Sequence, residues 1–117
     1  VRDWIYVEDH VRGILKVLFY GKKFNTYLIG SNCEITNINL AKAICDLYDD
    51  ITLSNGTKKL ISFVTDRKGH DFRYAINSSK IRKELNWRPQ VTFQEGLKKT
   101  ILFYIKNLHK IDKIFPY

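Results

Sequence analysis

Six consecutive residues, Asp66, Arg67, Lys68, Gly69, His70 and Asp71, cannot be core, and they break the chain between two apolar runs. Ile61, Phe63 and Val64 precede them, and Tyr74-Ala75-Ile76 follows, before Asn77-Ser78-Ser79 offers helix caps. The economical reading is a strand, a charged loop held out in solvent, and a return to the core. The loop sets two fixed cations and a histidine around a glycine. Glycine tolerates φ > 0 and lets a ligand come close to the backbone. Arginine presents a planar fork of donors suited to phosphate. On these residues alone two readings stand: an anion site, best suited to a phosphate or diphosphate, and a solvated polar turn.

The rest of the chain reads as helices joined by short extended pieces. Asp3 to Tyr6 alternates polar and bulky residues, as a short strand does. Glu8 and Asp9 put negative charge where a helix N-terminus favours it, Val11, Ile14, Leu15 and Leu18 follow at helical spacing, and Gly21 is a natural stop. Tyr27-Leu28-Ile29 reads as a buried strand ending at Gly30, followed by a polar loop from Ser31 to Thr36. Thr36 and Asn37 are both capable caps for a second helix with Leu40, Ala41, Ile44, Leu47 and Tyr48 on one face. Asp49 to Lys59 contains the turn signal Asn55-Gly56 and reads as a surface loop. Lys80 to Trp87 is a short helix with Ile81 and Leu85 four apart, stopped by Arg88-Pro89. Thr92 and Glu95 form a capping box for a last helix striped by Leu97, Ile101, Tyr104, Ile105 and Leu108, and the tail 109–117 is expected to be loose. Four helices and about three short strands make an α/β lobe with little regular sheet of its own.

Composition narrows the function classes. With 44% hydrophobic and 27% charged residues the chain suits one compact lobe rather than a disordered tail. No apolar stretch approaches the length of a membrane span, and the N-terminus lacks a signal-peptide layout. Cys33 and Cys45 are twelve apart, match no zinc or redox spacing, and point to reduced thiols and a cytoplasmic setting. The net charge of +8 comes from scattered lysines with no dense basic run, so a basic surface is expected and nucleic acid is not. Asp9 with His10, and His70 with Asp71, lack a third ligand for a metal. The chain has no methionine, and is expected to be the C-terminal piece of a longer protein.

DRKGHDFRYAI resembles the DRPGHDRRYAID signature of the dTDP-glucose 4,6-dehydratases, a branch of the extended short-chain dehydrogenase/reductases. VRDWIYVEDHVRG, YLIGSNCEITNINL and LNWRPQVTFQEGLKKTI are similar to further segments of the same family, in order and spacing over nearly the whole chain. The resemblance implies the C-terminal substrate-binding lobe of such an enzyme, residues 1–117, with the Rossmann lobe largely outside this chain. It implies a dTDP-glucose substrate, NAD bound by the missing N-terminal lobe, and a homodimer in the cytoplasm. The reaction it implies takes dTDP-glucose to dTDP-4-keto-6-deoxyglucose and water, a step toward deoxysugars such as rhamnose. The alternatives are another sugar-nucleotide epimerase or dehydratase, acting on a UDP-sugar, and a basic nucleic-acid-binding module.

Two parts of that chemistry are missing from these residues. No two glycines lie closer than eight apart, so there is no glycine-rich dinucleotide turn. No tyrosine has a lysine four residues on: the partners are His10, Phe24, Ser31, Thr52, Ser78 and Leu108. No catalytic residue is therefore carried over, and this chain alone is expected to be inactive. What the resemblance implies is nucleotide and diphosphate binding by Arg2, Asn37, Asp66, Arg67, Lys68, Gly69 and His70. Lys68 stands where the family has proline, which removes a φ restraint and adds a cation. Phe72 replaces a common arginine. Asn37 serves equally well as a helix cap, and His70 as a surface histidine.

Overall fold

The computed structural model describes residues 1–114. In chain order it contains β1 (Arg2–Asp3), α1 (Val7–Tyr20), β2 (Glu34–Ile35), α2 (Asn37–Thr52), a 3-10 turn (Thr57–Leu60), α3 (Ser79–Leu85) and α4 (Phe93–Ile114). The four helices and the scarcity of sheet follow the expectation. β1 and β2 pair antiparallel, with Arg2 opposite Ile35 and Asp3 opposite Glu34. On its other side Arg2 makes a single parallel bridge with Tyr74. Arg2 thus sits between two pieces of chain that are far away in sequence.

Two of the three expected strands are absent, and the first lies at Arg2–Asp3, overlapping the Asp3–Tyr6 stretch only at Asp3. Tyr27 to Ile29 is irregular, although Tyr27 and Ile29 still pack on the core. A three-residue apolar run can bury side chains without joining a ladder, and no neighbouring strand among the described residues pairs with it. β2 instead falls inside the stretch read as a polar loop. Asp3 explains this, because its carboxylate accepts Ser31 Oγ at 2.6 Å, the Cys33 N–H at 2.9 Å and the Asn32 N–H at 3.3 Å. That grip folds residues 31–33 back onto β1, with Asn32 at φ 65° and Trp4 N–H bonded to Cys33 O at 2.9 Å. The expected strand at Ile61 is also absent: Phe63 and Val64 lie exposed in irregular chain.

Helix ends follow their sequence signals. Thr36 caps α2, its hydroxyl accepting the Asn39 N–H at 3.3 Å. α2 continues to Thr52, four residues into the stretch read as loop, and ends at Leu53 in the left-handed region. The Thr92–Glu95 capping box closes in both directions, Glu95 Oε2 accepting the Thr92 N–H at 3.0 Å and Thr92 Oγ1 the Glu95 N–H at 3.3 Å. α4 runs on to Ile114, so the tail expected to loosen from His109 begins as helix, and the rest of it, 115–117, lies outside the described residues.

The core is small: Ile81, Leu85 and Trp87, with Ile5, Val17, Tyr27 and Ile29 packed against them. α1 meets it through a different face from the one its apolar stripe suggested. Val11, Ile14, Leu15 and Leu18 are exposed, while Asp9 and Gly13 are the buried residues of that helix. Gly13 is the contact point, since a Cβ there would lie 3.0 Å from Ile29 and 3.2 Å from the Trp87 ring. The glycine lets the helix backbone lie against those side chains, which decides the rotation of α1.

Candidate functional site

β1 and the charged loop meet at Arg2. The backbone of Val1 clamps the loop's far end, its N–H donating to Phe72 O at 2.8 Å and its carbonyl accepting the Tyr74 N–H at 2.9 Å. Arg73 adds a second clamp, its Nε and Nη2 both donating to the Glu34 carboxylate of β2 at 2.6 Å. These contacts fix the loop against the sheet although almost every residue in it is exposed.

Within that frame three of the expected residues form a chain of hydrogen bonds. Arg2 Nη2 lies 2.8 Å from His70 Nε2, and His70 Nδ1 lies 2.7 Å from Asp66 Oδ1. Arg2 Nη1 also donates to Val1 O at 2.8 Å. Asp66 Oδ1 accepts the Arg67 N–H at 2.9 Å, and the His70 N–H donates to Arg67 O at 3.3 Å, closing a turn with Gly69 at φ 73°. That φ is why position 69 is glycine: nothing lies within 4 Å of an added Cβ, so backbone conformation and not space sets the requirement. The His70 hydrogen bond, with the Arg67 amide and guanidinium, holds the Asp66 carboxyl below its ordinary value, so it stays an acceptor.

Arg67 and Lys68 are exposed, and neither makes an ion pair among the described residues. Arg2 has donors left beyond its two bonds. The loop therefore gathers guanidinium and ammonium groups around an open glycine, with the acidic Asp66 oxygen already engaged. Such a surface suits an anion with several oxygens. Asn37 opens α2, two residues after Ile35, which opposes Arg2. Thr36 takes the capping role, which frees the exposed Asn37 amide from it. Among the described residues there is no group of three metal-ligating side chains, and no helix long and apolar enough to cross a membrane. The described residues also do not fit NAD. Their one sheet is antiparallel and two residues deep, and neither strand-to-helix turn, 4–6 before α1 or Thr36 before α2, carries a glycine for a pyrophosphate.

Sequence reading missed two residues that hold this site, and a third that holds α1 to the rest of the lobe. Asp3 shapes the 31–33 loop, and the alternating pattern that suggested a strand gave no reason to single it out. Arg73 pairs with Glu34, and nothing in the local pattern singled it out. Asp9 was read as a helix-end charge, but it is fully buried and accepts the N–H groups of Gln90 at 2.9 Å and Val91 at 3.0 Å.

Residues 1–100 match the family described as GDP-mannose 4,6 dehydratase. The chain is 44% identical over 115 residues to the dTDP-glucose 4,6-dehydratase of Shigella flexneri, covering 97% of this chain and 32% of that protein. It resembles the crystal structure of dTDP-glucose 4,6-dehydratase from Bacillus anthracis in complex with NAD, with TM-score 0.79 and 42% identity over 92% of this chain and 32% of that one. The NAD-bound dTDP-glucose 4,6-dehydratase of Streptomyces venezuelae is similar too, at TM-score 0.80 and 37% identity over 92% and 31% of the two chains. The chain thus spans about a third of the length of the curated relatives it matches.

Proposed function

Since the chain belongs to the GDP-mannose 4,6 dehydratase family, we propose that the protein carrying it is a dTDP-glucose 4,6-dehydratase and that these residues form the lobe that binds the sugar nucleotide. The observation that carries this reading is the convergence at the loop. Arg2, fixed by β1, is joined through His70 to Asp66, while Arg67 and Lys68 stand free at the same turn. The similarity to dTDP-glucose 4,6-dehydratases supports the same reading.

The division of labour follows from what the residues can do. Arg67 and Lys68 supply positive charge, and the Arg67 fork can engage two oxygens of a diphosphate together. Gly69 carries no side chain to hold the ligand off the turn. Arg2 offers a guanidinium from the sheet side, and Asn37 a neutral amide able both to donate and to accept, as nucleotide recognition requires. Lys68 in place of proline gives the loop one more cation for phosphate. NAD would be held by parts of the protein outside these residues, and supplies the redox chemistry when bound. The protein is proposed to act in the cytoplasm, as a homodimer. The net reaction loses one water from dTDP-glucose and yields dTDP-4-keto-6-deoxyglucose.

The test is turnover by the full-length protein. Incubated with NAD and dTDP-glucose, it should form a product lighter by one water, seen by mass spectrometry, with UDP-glucose a poor substitute. Water loss from UDP-glucose with none from dTDP-glucose would contradict the reading.

A further inference from the structure

We infer that His70 acts as a positioning residue, a neutral imidazole whose Nε2 lone pair holds the Arg2 guanidinium while its Nδ1–H is tied to Asp66. The inference rests on the proposed sugar-nucleotide reading for its ligand, and on bonding geometry for its content.

The argument is one of donors and acceptors. A guanidinium has only N–H donors, so Arg2 Nη2 at 2.8 Å from His70 Nε2 requires a lone pair on that nitrogen. A neutral imidazole with a bare Nε2 carries its proton on Nδ1, and Nδ1 is 2.7 Å from Asp66 Oδ1, an oxygen that can only accept when ionised. Both contacts select the same tautomer. A protonated ring would keep the Asp66 bond but would set two N–H donors against each other at Arg2. The chain of bonds then breaks at its arginine end.

Among the described residues the Arg2 guanidinium has no other side-chain partner to hold it in place. Its remaining bond goes to its neighbour's carbonyl, Val1 O. The charged groups on the elements meeting the ring are Arg2 and Asp3 from β1, and Asp66, Arg67, Lys68 and Asp71 from the loop. On β2 and the loop's exit, Glu34 and Arg73 satisfy each other. The His70 side chain is itself 28% exposed, so protons reach it. The relay thus makes the orientation of Arg2, and through it affinity for a diphosphate, depend on the protonation of a ring that does not have to touch the ligand.

A direct phosphate contact by His70 makes the opposite prediction, because protonation would then add attraction. The experiment compares the full-length parent with His70→Gln and His70→Ala, titrating dTDP calorimetrically from pH 8 to 5.5. Glutamine can present an amide oxygen to Arg2 and an N–H to Asp66, and it does not titrate. His70→Ala should weaken dTDP binding about tenfold at pH 7.5, the scale of one lost charge-assisted bond. His70→Gln should recover most of that loss. The ligand's own phosphate titrates in this range, so the readout is the ratio of parent to His70→Gln affinity, in which that titration cancels. The ratio should fall at least about fivefold from the alkaline to the acid end of that pH range. A flat or rising ratio, or no recovery by glutamine, overturns the inference while dTDP binding itself upholds the sugar-nucleotide reading. A parent protein that binds no dTDP at any pH contradicts that reading and takes the inference with it.

Discussion

The carboxylate of Asp9, in the first turn of α1, accepts the backbone N–H of Val91 at 3.0 Å, from 82 residues further along the chain. The same carboxylate takes the Gln90 N–H and pairs with Arg12, and the Asp9 carbonyl accepts Trp87 Nε1–H at 3.3 Å. One residue therefore ties α1 to the turn between α3 and α4, beside the core tryptophan. Asp9→Ala should leave two amides without their acceptor and destabilise the protein by on the order of 3 kcal/mol. Asp9→Asn keeps one carbonyl oxygen and should lose about half as much. Urea midpoints of the two variants and the parent give the comparison, and equal midpoints would mean the tie contributes nothing.

Acid should undo this tie. Burial raises the Asp9 carboxyl, but the Gln90 and Val91 amides and the Arg12 guanidinium together outweigh it and hold the group below the ordinary carboxylate value. A depressed folded-state value means stability that is fully present above the unfolded value of about 3.9 and is lost as pH falls through the folded one. Melting temperature should therefore drop below about pH 4 in the parent, and should drop less steeply there in Asp9→Asn. Parallel profiles for the two proteins would assign acid sensitivity elsewhere.

Gly30 is buried, and a Cβ on it would lie 2.5 Å from Asp3 Oδ2 and 2.9 Å from Ile76 Cβ. The Asp3 carboxylate cannot move aside cheaply, because it holds the 31–33 loop. Gly30→Ala should cost about 1–3 kcal/mol, the usual range for overpacking. It should also weaken dTDP binding, since Asp3 follows Arg2 on β1. A melting temperature within a degree of the parent's would show that the site has slack.

Much of this was legible in the sequence because it is local. Capping residues and helix stops are set by a helix's own residues: Thr36 and Thr92 cap as their positions require, and α1 ends at Gly21, which lies in extended backbone. The pieces that could not be read are those decided at long range. The rotation of α1 depends on Gly13 meeting Ile29 and Trp87, and β2 on Asp3 reaching residues 31–33. The charged loop was recognisable as a loop because five polar residues around a glycine forbid a core. Its alignment with Arg2 depends on a pairing across 68 residues, which periodicity does not encode. The family resemblance supplied that association of Arg2 with the loop, and the contacts supply a physical account of it.

The central claim is that the loop around Gly69 holds the diphosphate of a dTDP-sugar, with Arg67 as its main anchor. Arg67 has its backbone set by Asp66, its side chain exposed, and no ion pair among the described residues. The most direct measurement is a calorimetric titration of dTDP into the full-length protein, Arg67→Ala and Arg67→Lys. The account predicts at least about tenfold weaker binding in Arg67→Ala, the equivalent of 1.4 kcal/mol. It predicts partial recovery in Arg67→Lys, which keeps the charge and loses the fork, and little change in NAD affinity. Unchanged dTDP affinity in Arg67→Ala, with the fold intact, would contradict it and leave the loop a solvated turn.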